Sequence, residues 1–162
     1  SFTAFYGEMT ERRGCSEKPV MLCRSRGGLM VLNWAVEHPE KVGGIAGIYP
    51  VFDWRSWPGT EKAAPAYGVT GEELERRAMK ECPIERVEAL AKGKVPVFLI
   101  HGDSDVVVPL EANSAELKRR YEEAGAGKLV ELIVPKGQGH NYWEGFFRCK
   151  ELVGFVVRQA GE

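Results

Sequence analysis

Three side chains whose types together perform nucleophilic acyl chemistry, a serine, an aspartate and a histidine, each stand just after a short apolar run. Pro19-Val20-Met21-Leu22-Cys23-Arg24 runs into Ser25 and then straight into Arg26-Gly27-Gly28. Val95 to Ile100 runs into His101-Gly102-Asp103-Ser104-Asp105, and Val130 to Val134 into Pro135-Lys136-Gly137-Gln138-Gly139-His140. A serine hydroxyl is a weak nucleophile unless it is held out of regular structure, beside a base, and above a helix N-terminus that stabilises developing negative charge. A sharp strand-to-helix turn meets those conditions. It needs small residues two before and two after the serine, because strand and helix close tightly there. Gly27 fills the second position, and Cys23 stands where glycine is usual, which tightens the turn. Taken alone, Ser-x-Gly-Gly also reads as a serine-capped helix start. The aspartate and histidine that follow separate strands, in the order Ser, Asp, His, make the pattern chemical.

The elements around these residues alternate. Val20 to Arg24, Val42 to Tyr49, Val95 to Ile100 and Val130 to Val134 read as buried strands, and the segments between them carry helical periodicity. That alternation predicts an α/β chain with a mostly parallel sheet and helices on both faces. In such a sheet the C-terminal ends of the strands share one edge, so loops remote in sequence converge on one crevice. Helices are expected over Phe2 to Arg13, Gly28 to Glu37, Thr70 (a capping box with Glu73) to Glu81, Pro83 to Ala91, from Leu110 through Tyr121, and Gly145 to Gln159. In the last, Phe146, Cys149, Val153, Val156 and Val157 are expected to face the sheet. Residues 50–70 carry Phe52, Trp54, Trp57 and Tyr67 between prolines and glycines, and either line a pocket or cover the sheet. Residues 53–94 form a segment of the size of a cap-like insertion, and Tyr142 and Trp143 are candidate pocket walls.

On Cys23-Arg24-Ser25-Arg26-Gly27, His101-Gly102-x-x-Asp105-x-x-Val108-Pro109 and Gly139-His140, the chain resembles the α/β-hydrolase family over nearly its whole length. Ser25-Arg26-Gly27-Gly28 together with Asp53-Trp54-x-Ser56-Trp57-Pro58-Gly59 is most similar to esterase-type or prolyl-oligopeptidase-like members. The resemblance implies Ser25 as nucleophile, His140 as general base and then acid, Asp105 as the group that orients His140, and the Arg26 backbone N–H as an oxyanion donor. It gives Asp103 a local turn role and His101 a structural one, with His38 at the surface. In the family four strands precede the one that bears the nucleophile, and a loop among them gives a second oxyanion donor. Residues 1–162 are therefore expected to be a single, partial α/β-hydrolase domain from the C-terminal portion of the fold, with Val20 to Leu22 on an open sheet edge.

The activity implied is that of a serine hydrolase cleaving a carboxylic ester or related acyl bond of a small-molecule substrate through an acyl-enzyme, with no cofactor. A peptidase, a thioesterase and a catalytically silent binding domain of the same fold remain open. Composition removes other classes. Lys plus Arg number 22 and Asp plus Glu 23, which gives no electrostatic case for nucleic acid. No apolar run reaches the length of a membrane span. Cys15, Cys23, Cys82 and Cys149 are scattered, and three separate histidines give no metal-ligand spacing. Gly125-Ala126-Gly127-Lys128 lacks the spacing of a phosphate loop, and Leu129 stands where a hydroxyl would bind magnesium. Arg24 and Arg26 flank the serine, and either solvate the rim or favour an anionic substrate.

Overall fold

A computed structural model describes residues 1–161. Four strands lie side by side in chain order, β1 (Val20–Arg24), β2 (Gly44–Ile48), β3 (Val97–Ile100) and β4 (Val130–Ile133), and every neighbouring pair is parallel. Each crossover carries helix. Ahead of β1 stand α1 (Phe2–Gly7) and a π-helical continuation over Glu8–Arg12. The β1–β2 crossover holds α2 (Gly27–Glu37), and the long β2–β3 crossover holds α3 (Thr60–Tyr67), α4 (Gly71–Arg76), α5 (Ala78–Glu81) and α6 (Glu88–Lys92). The β3–β4 crossover holds α7 (Ser114–Glu123), and α8 (Glu144–Phe147) and α9 (Lys150–Ala160) follow β4. Among the described residues β1 has a strand partner on one side only.

All residues of β2 and β3 are buried, because each strand packs on both faces. Ile45, Val97 and Leu99 face a large cluster with Val31, Leu32 and Ala35 of α2, Leu117 and Tyr121 of α7, and residues of the long crossover. Ala46, Ile48, Phe98 and Ile100 face a smaller cluster with Phe146, Leu152 and Phe155. The helices thus sit on both faces, as the alternation predicts. The last helix meets its expected face in part. It is interrupted at Cys149, the cap of α9, whose side chain accepts from the Leu152 N–H. Phe146, Cys149 and Val156 pack in the smaller cluster as expected, Leu152 and Phe155 join them, and Val153 and Val157 are exposed. The helix expected over Thr70 to Glu81 is likewise divided at Arg77.

Two glycines set the spacing at the C-terminal edge of the sheet. A Cβ at Gly28 would meet the Val51 carbonyl oxygen at 2.5 Å, so only glycine lets α2 start against the loop leaving β2. A Cβ at Gly102 would meet the Gln138 carbonyl oxygen at 2.1 Å, so only glycine lets the loop after β3 lie against the loop after β4. No helix among the described residues is long and apolar enough to cross a membrane.

Candidate active site

Ser25 stands between β1 and α2 with φ +48°, a left-handed backbone that a residue other than glycine adopts only when its surroundings impose it. Three hydrogen bonds impose it here. The Ser25 N–H donates to Ile48 O (3.1 Å), and the Ser25 carbonyl accepts from the Gly28 and Val51 N–H groups (both 2.9 Å). Cys23 does not crowd the turn, since a Cβ placed on Gly27 would lie 3.9 Å from Cys23 Cβ, an ordinary contact. The Cys23 thiol is buried, and burial pushes its pKa up to about 12, so it is a packing group.

The loop after β4 carries His140 to this turn, with Nε2 2.8 Å from Ser25 Oγ. Its Nδ1 lies 2.8 Å from Asp105 Oδ2. An acceptor-only carboxylate at Nδ1 fixes the proton there, which leaves Nε2 to accept from the serine hydroxyl. The Tyr49 ring packs against the imidazole at a centroid distance of 4.4 Å and is itself backed edge-on by Phe146. Tyr49 is also held at positive φ (+35°), and its N–H donates to Ile100 O at 2.8 Å. Its position at the end of β2 was the available signal for a wall residue.

Asp105 is buried and pinned on both oxygens. Oδ1 accepts from the Val107 and Val108 N–H groups (3.0 and 2.8 Å), and Oδ2 faces His140 and, at 3.4 Å, His101 Nε2. His101 has no solvent exposure. Its Nε2 donates to Val108 O (2.9 Å), and its Nδ1 accepts from the Ser114 hydroxyl (2.8 Å). Burial lowers its pKa below the ordinary 6.5, so it stays a neutral staple across the Asp105 loop. Asp103 lies apart from His140 contacts and does more than stabilise its own turn. Its Oδ1 accepts from Ser104 Oγ (2.9 Å) and from the Gly137 N–H (2.7 Å), which ties the β3 loop to the β4 loop. His38 is half-buried against the Trp34 ring, more enclosed than its expected surface place.

Sequence reasoning missed Asn113. It is buried, its Oδ1 accepts from the Phe52 and Asp53 N–H groups (2.7 and 3.0 Å), and its Nδ2 donates to Pro109 O and Ser56 Oγ (2.8 and 3.0 Å). One amide thereby joins the aromatic loop after β2 to the loop after β3. An ionic lattice reinforces the joint. Arg55 binds Asp53 at 2.9 Å and Glu85 at 2.5 Å, and Arg120 of α7 reaches Glu85 and Glu116, each at 2.6 Å.

The Arg26 backbone N–H, at the cap of α2, meets no acceptor among the described residues. Its side chain is exposed and lines a groove between α2 and α3 walled by Trp54, Trp57 and Tyr67. Arg24 turns the other way, with its guanidinium over the Tyr142 ring at 5.2 Å and the Phe147 ring at 5.9 Å. Tyr142 is 78% exposed, and Trp143 packs edge-on to Phe146. Among the described residues no group of three or more His, Cys, Asp or Glu side chains is placed to hold a metal ion.

The prolyl oligopeptidase family model matches residues 11–160. No curated protein matches the sequence. Solved structures match the fold. A Bacteroides ovatus chain assigned as a dipeptidyl aminopeptidase IV superposes with a TM-score of 0.76 at 16% identity, covering 98% of this chain and 22% of that one. A puromycin hydrolase gives 0.68 at 21% identity, covering 98% and 24%, and a Paleococcus ferrophilus monoacylglycerol lipase gives 0.60 at 19%, covering 99% and 74%. The chain thus spans less than a quarter of the length of the first two.

Proposed function

The chain belongs to the prolyl oligopeptidase family, and from that premise we propose that it is the part of a serine hydrolase that carries Ser25, Asp105 and His140 as its catalytic triad. The observation that supports this reading is the unbroken hydrogen-bonded chain from Ser25 Oγ through His140 to Asp105, with both links at 2.8 Å. His140 Nε2 takes the hydroxyl proton as Ser25 Oγ attacks the substrate carbonyl carbon, and Asp105 steadies the imidazolium that forms. The Arg26 N–H donates to the oxyanion. Collapse of the tetrahedral species breaks the acyl bond, His140 returns the proton to the departing group, and water repeats the sequence to free the acid.

The substrate class we propose is a small carboxylic ester or related acyl compound. A peptide substrate is the second reading, favoured by the family to which the chain belongs. In the full-length protein a fluorophosphonate should label Ser25, and Ser25→Ala should abolish labelling and turnover together. Turnover of short-chain nitrophenyl esters and of peptide amides by the same preparation separates the two readings. Labelling at another serine, or activity that survives Ser25→Ala, overturns the triad. Absence of both labelling and turnover in the folded protein identifies a binding domain.

A further inference from the structure

Ten of the twelve arginines have a carboxylate within ion-pair distance among the described residues, and the two that do not, Arg24 and Arg26, flank Ser25. Arg24 is accounted for by the Tyr142 and Phe147 rings. Arg26 has neither a carboxylate nor an aromatic partner, and its guanidinium makes no hydrogen bond among the described residues. Its side chain opens a groove of about 580 Å³, within the roughly 300–1,000 Å³ typical of small-molecule sites.

The groove begins one residue beyond Ser25, at Arg26. Arg26, Met30 and Asn33 lie along one stripe of α2, beginning with the residue after Ser25, and Lys62 and Tyr67 of α3 line the opposite side. Trp54 and Trp57 also line it. Among the described residues no aspartate or glutamate lines it. Its unmet side-chain groups include three donors: the Arg26 guanidinium, the Lys62 ammonium, which has no carboxylate partner among the described residues, and the Asn33 amide nitrogen, since Asn33 Oδ1 already accepts from Arg86. The wall residue Trp54 carries the one buried side-chain donor without an acceptor among the described residues, its Nε1–H. Flat apolar walls suit a ring, and an excess of donors with two cations suits an anion.

Building on the triad reading, we propose that this groove binds a carboxylate-bearing ring of the ester substrate, with the carboxylate toward Arg26 and Lys62 and the ring against Trp57 and Tyr67. Two sources share that chemistry, an aromatic acid on the acyl side and a sugar acid on the alcohol side. The test uses the full-length protein and two isosteric pairs. The first is the mono-4-nitrophenyl ester of terephthalic acid against 4-nitrophenyl 4-carbamoylbenzoate. The second is acetylated glucuronic acid against acetylated glucuronamide.

In one pair the charged member should have a kcat/KM at least about tenfold higher, carried mainly by KM. The ratio should collapse in about 0.5 M salt, a readout that needs no variant. It should also collapse in the double variant Arg26→Gln, Lys62→Gln, while Lys136→Gln keeps it. Ratios below about threefold in both pairs, or a preference that survives the double variant or the salt, overturn the proposal while leaving the triad intact. If no ester is turned over, tryptophan fluorescence on Ser25→Ala protein tests the groove independently. Saturable quenching by 4-carbamoylbenzoate and none by terephthalamide supports it, and equal or absent quenching by the two overturns it.

Discussion

On the Asp105 side of the crevice, His101, Asp105, Asn113 and Ser114 are buried, and all four are engaged in hydrogen bonds with partners of fixed position. On the Arg26 side the two cations, Arg26 and Lys62, are exposed and have no carboxylate partner among the described residues, and they are set among aromatic walls. Under the proposed triad and groove, the difference separates two tasks. A relay works only at one geometry, so its members are held by groups that cannot relax into water. A recognition surface must keep its donors unspent for the ligand, and it tolerates exposure to do so.

Four substitutions strain this contrast, beginning with the most damaging. Asp105→Asn should cost about 10³–10⁴ in kcat with little change in circular dichroism, because an amide at that position favours the wrong imidazole tautomer. Activity within about tenfold of the parent would show that the buried side is not the relay. Asn113→Leu strands the Phe52 and Asp53 N–H groups, and urea denaturation should show about 2–4 kcal/mol of lost stability. A loss below about 1 kcal/mol would mean that the loop re-forms its bonds without the amide.

His101 gives a smaller, pH-dependent effect. Its folded pKa lies below 6.5, so the unfolded chain binds the proton more readily. The stability this contributes is complete above about pH 6.5, falls as pH drops toward the folded value, and changes by at most about 1.4 kcal/mol per pH unit. Urea midpoints at pH 7 and 5.5 should diverge in the parent and diverge less in His101→Phe. Equal divergence would assign the acid sensitivity elsewhere. On the exposed rim, Tyr142→Ala should change stability by no more than about 0.5 kcal/mol by the same assay. A cost above about 1 kcal/mol would move the Arg24 cluster to the structural side of the comparison.

The strand-end residues could be read from sequence because their signals are local. An apolar run followed by Ser-Arg-Gly-Gly, or by His-Gly and an aspartate, announces both the strand and what leaves it. Asn113 has no such signal, since an asparagine just before a helix reads as an ordinary cap. Its four partners lie in two loops, and only the assembled fold brings them together. The break at Cys149 was hidden for a related reason, because the apolar residues on either side of it fit one continuous helix. The groove likewise depends on α3, within the long β2–β3 crossover, lining the same cleft as α2.

Gly102 makes the distance between Asp105 and His140 a property of two loops. With a Cβ at that position 2.1 Å from the Gln138 carbonyl oxygen, the gap between the loops is narrower than a single methyl group. Alanine there is a wedge: it touches neither Asp105 nor His140, yet it must drive the loop that carries one away from the loop that carries the other. The 2.8 Å link between them is therefore a gauge whose setting is the absence of one carbon atom.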